Sequence, residues 1–340
     1  MAKKWLIGLI VVLTLAVASL AFWLYRKSVI DPVKTSQRKA EESDTPTNSN
    51  LYEWSQMADS PYSHDIYYAT SVDLLNWTDS NNLLARHASV PEAIYRNGIV
   101  YVYFLDFSED GKPEQLALIR SSDEGKTWQE KTIANIEGLG QKTVADPSLL
   151  LLEDGTMKLF FFDIGAGRVS SQKQEQEKDS KQTQPNYIYS ATSNDGVNFK
   201  MDDGYRFADN AIFDPDVIKV NDTWYLYCGK EGIITVATSD DGISFTDRGT
   251  AFDKGFIPSI YHDGSKFYLY SPMVGATPDQ GGIGIATSAD GIKFTRGSTY
   301  FNRPGSLPPN DPGVTKIGDN KYIMVYKVIN EPTKSDEPKK

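Results

Sequence analysis

The sequence predicts an all-β chain: a five-bladed β-propeller closed by N-terminal strands that complete the last blade, preceded by one N-terminal transmembrane helix. Three observations predict the propeller. A short phrase, clearest as ATSDDGISF at 237–245, occurs five times in the 340 residues, starting at Ala69, Ile119, Ala191, Ala237 and Ala286. Five Pro-led apolar segments alternate with it, beginning at Val90, Asp146, Asp214, Ile257 and Asp311. The two series are out of step, because the first phrase precedes every Pro-led segment and the last Pro-led segment has no phrase after it. Repetition at a near-fixed period marks one structural unit used several times.

Taken in chain order, residues 1–27 read as a membrane anchor. Lys3 and Lys4 precede an uncharged run of 21 residues from Trp5 to Tyr25, and Arg26 and Lys27 follow it. About 20 residues at helical rise span a bilayer, whereas the apolar part of a cleaved leader is about 7–15 residues long. A retained anchor is the expectation, with AVA at 16–18 as the alternative cleavage point. The expected location is the cell membrane, single-pass, with the propeller extracytoplasmic. Residues 28–55 are rich in Ser, Thr, Lys and Glu and read as a flexible linker. Residues 56–330 hold the propeller, and 331–340 form a disordered tail.

Each repeat reads as four short antiparallel strands. Proline restricts its predecessor to extended geometry and cannot donate to a ladder, so it suits the first residue of a strand. An Asn-Gly or Asp-Gly turn then leads to an aromatic strand such as WYLYCG from Trp224 or KFYLYSP from Lys266. A third strand ends in the ATS of the phrase, a Ser-Asp-Gly turn follows, and Phe or Trp opens the fourth. The turn serines, placed at Ser71, Ser122, Ser193, Ser239 and Ser288, are separated by steps of 51, 71, 46 and 49. The long step contains a Gln/Lys/Glu-rich insertion at 170–186, expected to be a mobile loop. Because the series are offset, the first phrase and its following strand complete the last blade, which removes the free edges of a split ring.

A net charge of −10 with no basic patch argues against nucleic acid as a partner. Cys228 is the single cysteine, which excludes an intrachain disulfide and reads as a small buried side chain. His64, His87 and His262 lack metal-ligand spacing. No cofactor is required, although a ring of axial carboxylates could hold Ca²⁺ through oxygen ligands.

Two resemblances follow from these residues. SSDEGKTW at 121–128 resembles the Asp-box of sialidases, while the other copies bring Asp one place nearer the Gly. The ring as a whole, with DPDVIKVNDTWYLYCG from Asp214 as its clearest unit, resembles the five-bladed propeller glycosidases over about residues 62–328. These are the arabinanases and xylosidases of family 43 with their invertase and levansucrase relatives. The resemblance implies an Asp base on the first inner strand, a modulating Asp two blades on and a Glu acid in the next blade, each just before proline. Here those positions across five blades hold Val90, Asp146, Asp214, Ile257 and Asp311, so the Glu is missing.

Around the closed ring, Asp311, Asp146 and Asp214 reproduce the family's angular spacing. On that pattern Asp311 is the base, Asp146 the modulator and Asp214 the acid. Glu92, two residues after Val90 on the same face of its strand, is a substitute acid, and Asp216 bears the same relation to Asp214. Asp216 and Trp224 are candidate substrate contacts, Trp224 through stacking on a sugar face. The expected function is a membrane-anchored, extracytoplasmic glycoside hydrolase-like propeller with a carbohydrate partner, attached through residues 5–25. The alternatives are a noncatalytic glycan- or protein-binding propeller with a degenerate site, and a sialidase-like enzyme. The last needs an arginine cluster that the sequence does not repeat on its inner strands.

Overall fold

The computed structural model describes residues 61–108, 114–163, 185–272, 282–303 and 307–330. Among them, five separate antiparallel-based sheets form five blades. Blade I runs Ala88–Arg96, Ile99–Asp106, Gln115–Ser121 and Thr132–Ile133. Blade II is built on Val144–Leu151, Met157–Asp163, Asn186–Ser193 and Asn198–Met201, and Asn135–Glu137 joins its outer strand in parallel. Phe207–Asp209 pairs with the start of Asn186–Ser193. Blade III runs Phe213–Val220, Thr223–Lys230, Ile233–Ser239 and Thr246–Phe252. Blade IV runs Ser259–His262, Phe267–Pro272, Ile283–Ser288 and Thr295–Phe301.

Blade V closes the ring as the sequence predicts. Its inner strands are Asn310–Gly318 and Lys321–Ile329, and its outer strands are His64–Ser71 and Thr78–Arg86 from the other end of the domain. His64–Ser71 pairs residue by residue with Ile329–Tyr322, so the closure is an eight-residue ladder without a break. Each edge that a split ring would expose is thereby paired.

The core lies between blades rather than within them. Five apolar clusters occupy the five interfaces: Tyr103 of blade I packs with Phe161 of blade II, and Phe160 of blade II with Leu226 of blade III. Tyr227 packs with Leu269, Tyr270 with Met324, and Val325 with Val102, which carries the series back to blade I. Strand alternation makes this arrangement possible, since successive side chains point to opposite blade faces and both faces meet a neighbour.

The repeated phrase forms the outer turn. In blade III the Ser239 hydroxyl donates to Asp241 Oδ1 at 2.8 Å and accepts from the Gly242 N–H at 3.0 Å. Asp241 Oδ1 also accepts from the Ile243 and Ser244 N–H groups. The first copy places Leu74 where the others have glycine, at φ 65°. In the second copy Ser121, not Ser122, caps the turn, bonding Asp123 at 2.7 Å and Gly125 N–H at 2.8 Å. Glu124 is the inserted residue there, so the first two steps become 50 and 72.

Buried tyrosines tie these turns to the neighbouring blade. Tyr103 donates to Gly196 O at 2.7 Å, Tyr227 to Gly291 O at 2.8 Å, Tyr270 to Leu74 O at 2.8 Å and Tyr68 to Gly125 O at 2.9 Å. Blade II has Phe160 at the matching place and makes no such bond. The tyrosine surplus is thus largely architectural.

No helix among the described residues is long and apolar enough to cross a membrane. The predicted anchor at 5–25, the linker at 28–55, the tail at 331–340 and most of the insertion at 170–186 lie outside the described residues. Asn186, the last residue of that insertion, already belongs to a strand.

Candidate active site

The inner strands meet around the axis, and their first residues line one small cavity of about 30 Å³. Its wall is built from Val90, Glu92, Asp146, Asp214, Asp216, Ile257, Asp311 and the five prolines at 91, 147, 215, 258 and 312. The structure thus brings together five of the six sequence-predicted site residues. Trp224 is not among them. It is 6% exposed and packs between blades II and III, edge-on to Phe160 at 6.3 Å.

The backbone at the entries departs from the sequence expectation. Val90, Asp146, Asp214 and Asp311 have φ of 47°, 50°, 46° and 48°, the left-handed region, although a residue before proline favours extended geometry. Each sits in an irregularity of its ladder, between Ser89 and Glu92, Ala145 and Ser148, Phe213 and Asp216, and Asn310 and Gly313. A bulge re-aims the side chain and releases the local N–H from pairing, which proline cannot offer in any case. Ile257, the fifth entry, lies just ahead of a regular ladder instead. The strain of a left-handed β-branched residue at Val90 is held by the ring around it. Gly313 serves the same convergence, because a Cβ there would stand 2.7 Å from Pro91 O and 2.9 Å from Glu92 Cα.

Asp146 and Asp214 sit on adjacent blades and are directly joined. The Asp214 N–H donates to Asp146 Oδ2 at 3.2 Å, and each carboxyl group acts on the titration of the other. Burial, with the charge of Asp311 second, moves Asp146 from its ordinary 3.8 to about 6. Burial and then the charges of Asp146 and Asp311 push Asp214 well above the ordinary range. Like charges placed this close disfavour double ionisation, so burial and the neighbouring carboxylates together favour the protonated form of Asp214. Asp311, 4% exposed, is ion-paired instead: Lys327 Nζ stands 2.6 Å from its Oδ2, off the hydrogen-bond direction.

The next layer holds Asp216 and Glu92. Asp216 Oδ1 accepts from the Ser148 hydroxyl at 3.0 Å and its Oδ2 from the Ile260 N–H at 2.5 Å. One carboxylate thereby ties the inner strands of blades II, III and IV. Burial moves Asp216 up to about 6, against those hydrogen bonds. Glu92 is raised well above the ordinary range by burial first and by Asp216 second, while the Ala93 N–H at 2.9 Å opposes the shift.

Lys327 is the site residue that sequence reasoning missed. Its signal was its register: Lys327 lies opposite Asn310, the neighbour of Asp311, on the strand paired with that entry. No arginine lines the cavity. No group of three or more His, Cys, Asp or Glu among the described residues is placed to hold a metal ion. Cys228 is buried, and burial pushes its thiol well up, so it packs as a neutral side chain.

No protein-family model matches the chain, and no curated protein matches its sequence. Solved structures do. An endo-1,4-β-xylanase from Bacteroides thetaiotaomicron VPI-5482 superposes with a TM-score of 0.53 at 16% identity, over 71% of this chain and 84% of that one. A GH32 β-fructofuranosidase of Bombyx mori gives 0.53 at 15% identity, over 85% of this chain and 64% of that one. A thermostable family-43 glycoside hydrolase gives 0.51 at 18%, over 72% and 89%. The chain carries the fold of the five-bladed propeller glycosidases. At these identities the likeness establishes architecture, and chemistry has to come from the cavity.

Proposed function

We propose that this propeller is a glycoside hydrolase acting on an oligo- or polysaccharide at the axial acid cluster. One observation carries the reading: Asp214, whose surroundings favour its protonated form, and Asp311, ion-paired with Lys327, line the same cavity. Hydrolysis of a glycosidic bond needs such a pair, one to donate to the leaving oxygen and one to activate water or attack. Asp214 is the acid, Asp311 the base, and Asp146 the modulator that accepts Asp214's hydrogen bond and sets its proton affinity. Asp146 and Asp214 are in hydrogen-bond contact, too close to flank a bond themselves, since paired catalytic carboxyls stand about 5–9.5 Å apart. Glu92 is a second carboxyl on the cavity wall whose surroundings favour the protonated form. Both oxygens of Asp216 are engaged by strand ties, and its role is to hold the floor together. In this reading residues 5–25 anchor the enzyme in the cell membrane with the propeller outside, on the strength of their uncharged run.

A noncatalytic glycan-binding propeller is the second reading, and one observation favours it. The cavity of about 30 Å³ has room for a water molecule and lies far below the ~300 Å³ at which ligand pockets begin. Val90 and Ile257 face it where other blades have Asp. Hydrolysis of a panel of aryl-glycosides and polysaccharides by the full chain, beside Asp214→Asn and Asp311→Asn, separates the two. Turnover lost in both variants establishes the hydrolase. No turnover on any substrate, with glycan binding kept by the variants, leaves the recognition propeller.

A further inference from the structure

We propose that Lys327 is a positioning residue of the axial site: its ammonium, seated against Asp311, fixes the ionised end of the carboxylate group and so keeps base and acid in different blades. The inference rests on the hydrolase reading for its catalytic consequence, and on geometry for the rest. Five carboxyl groups line the cavity and no basic side chain does. Lys327 stands directly behind that wall, with Nζ 2.6 Å from Asp311 Oδ2 and side chains 12% and 5% exposed. A lysine ordered in so little solvent contributes its charge at short range, where screening is weak.

The groups facing it account for its selectivity. From its own blade comes Asp311, while the residue opposite on the other side, Ile66, brings no charge. Asp65, next along that strand, is paired with Arg86 at 3.4 Å. From blades II and III, Asp146 and Asp214 both feel the ammonium, which lowers each against the burial that raises them. Glu92 and Asp216 line the same cavity, two residues after the entries of blades I and III, and blade IV presents uncharged Ile257. Lys327 therefore offsets part of the cluster's negative charge from the Asp311 side, and leaves Asp214, on blade III, as the member whose surroundings favour the proton.

The test compares Lys327→Met and Lys327→Arg with the parent full chain. In ¹³C-carboxyl NMR of Asp-labelled protein, with Asp146→Asn for assignment, the Asp146 titration is expected to rise by about one unit in the Met variant and to return in the Arg variant. In hydrolysis, kcat is expected to fall on the order of tenfold to a hundredfold in the Met variant with KM kept, the acidic limb moving up and Arg restoring both. An Asp146 titration unmoved in the Met variant overturns the proposal. Absence of hydrolysis in the parent sinks the hydrolase reading instead, and the NMR result still decides whether Lys327 controls the cluster. Should Lys327→Met not fold, the comparison of Asp311→Asn with Asp311→Asn/Lys327→Met reads the same shift with no carboxylate left at position 311 in either protein. Equal Asp146 titrations in that pair overturn the proposal as well.

Discussion

Asp214 and Asp146, the entry residues of neighbouring inner strands, are joined by a backbone N–H to carboxylate bond of 3.2 Å. The pair makes the folded state bind protons more tightly than the unfolded chain does. Burial moves Asp146 from an ordinary 3.8 to about 6, and burial with the neighbouring carboxylates raises Asp214 as well. Their contribution to stability is complete below about pH 4 and is lost as pH rises through about 6. Asp146→Asn and Asp214→Asn cannot ionise, so at pH 8 each is expected to be more stable than the parent by about 1–3 kcal/mol. Urea unfolding at pH 5 and pH 8 checks this, and a parent stability that does not fall between the two pH values refutes it.

The outer turns carry the opposite sign. Hydrogen bonds from the Asn76 side chain, then the Asn76 and Leu75 N–H groups, bring Asp73 down to about 2. Its contribution is present above the ordinary carboxylate range and is lost as pH falls towards 2. Asp73→Asn is therefore expected to flatten the acid side of the stability curve without moving its alkaline side. A melting-temperature series from pH 2 to pH 5 on both proteins reads the difference.

The tyrosine ties yield a test of the ring itself. Tyr227→Phe keeps the packing between blades III and IV and deprives the buried Gly291 carbonyl of its donor at 2.8 Å. A cost of about 1–3 kcal/mol is expected, the usual penalty for a buried acceptor left unpaired. Denaturant midpoints of Tyr227→Phe and of Tyr103→Phe, which breaks the equivalent tie to Gly196, should fall together. An unchanged midpoint in both means that water replaces the hydroxyl.

Much of this architecture was legible because it is periodic. The Ser-Asp turns, the prolines and the offset between their series are local signals, and the offset alone specifies that His64–Ser71 pairs with Lys321–Ile329. The site was only half legible. That Asp146, Asp214, Asp311 and Glu92 share a cavity follows from strand alternation, but their left-handed entries run against the local preference of a residue before proline. Ring convergence, a tertiary force, overrides that preference. Lys327 was invisible for a related reason. It approaches Asp311 across a strand pair, so the only sign of that meeting is the register of the hairpin, which is settled when the strands pair. Ser122 was mistaken for the turn serine because two serines stand together, and only the hydrogen bonds of Ser121 separate them.

Trp224 provides the remaining discrimination between packing and sugar contact. It is 6% exposed, and the Gly242 of the following turn lies so close that a Cβ there would stand 2.7 Å from its ring at a φ of 70°. Gly242→Ala meets both obstacles, a clash with a ring that cannot retreat and a left-handed backbone. It is expected to cost more than the ~1 kcal/mol typical of a point mutation. Trp224→Ala should cost about 3–5 kcal/mol, as truncation of a large buried aromatic does. Trp224→Phe retains most of the contact with Phe160 and Phe245 and separates the two roles. With Trp224 as core alone, the folded Phe variant keeps the parent's glycan affinity and turnover while losing some thermal stability. A Phe variant that melts with the parent yet binds glycan more weakly would return Trp224 to the binding surface and place a sugar at the seam of blades II and III, away from the axis.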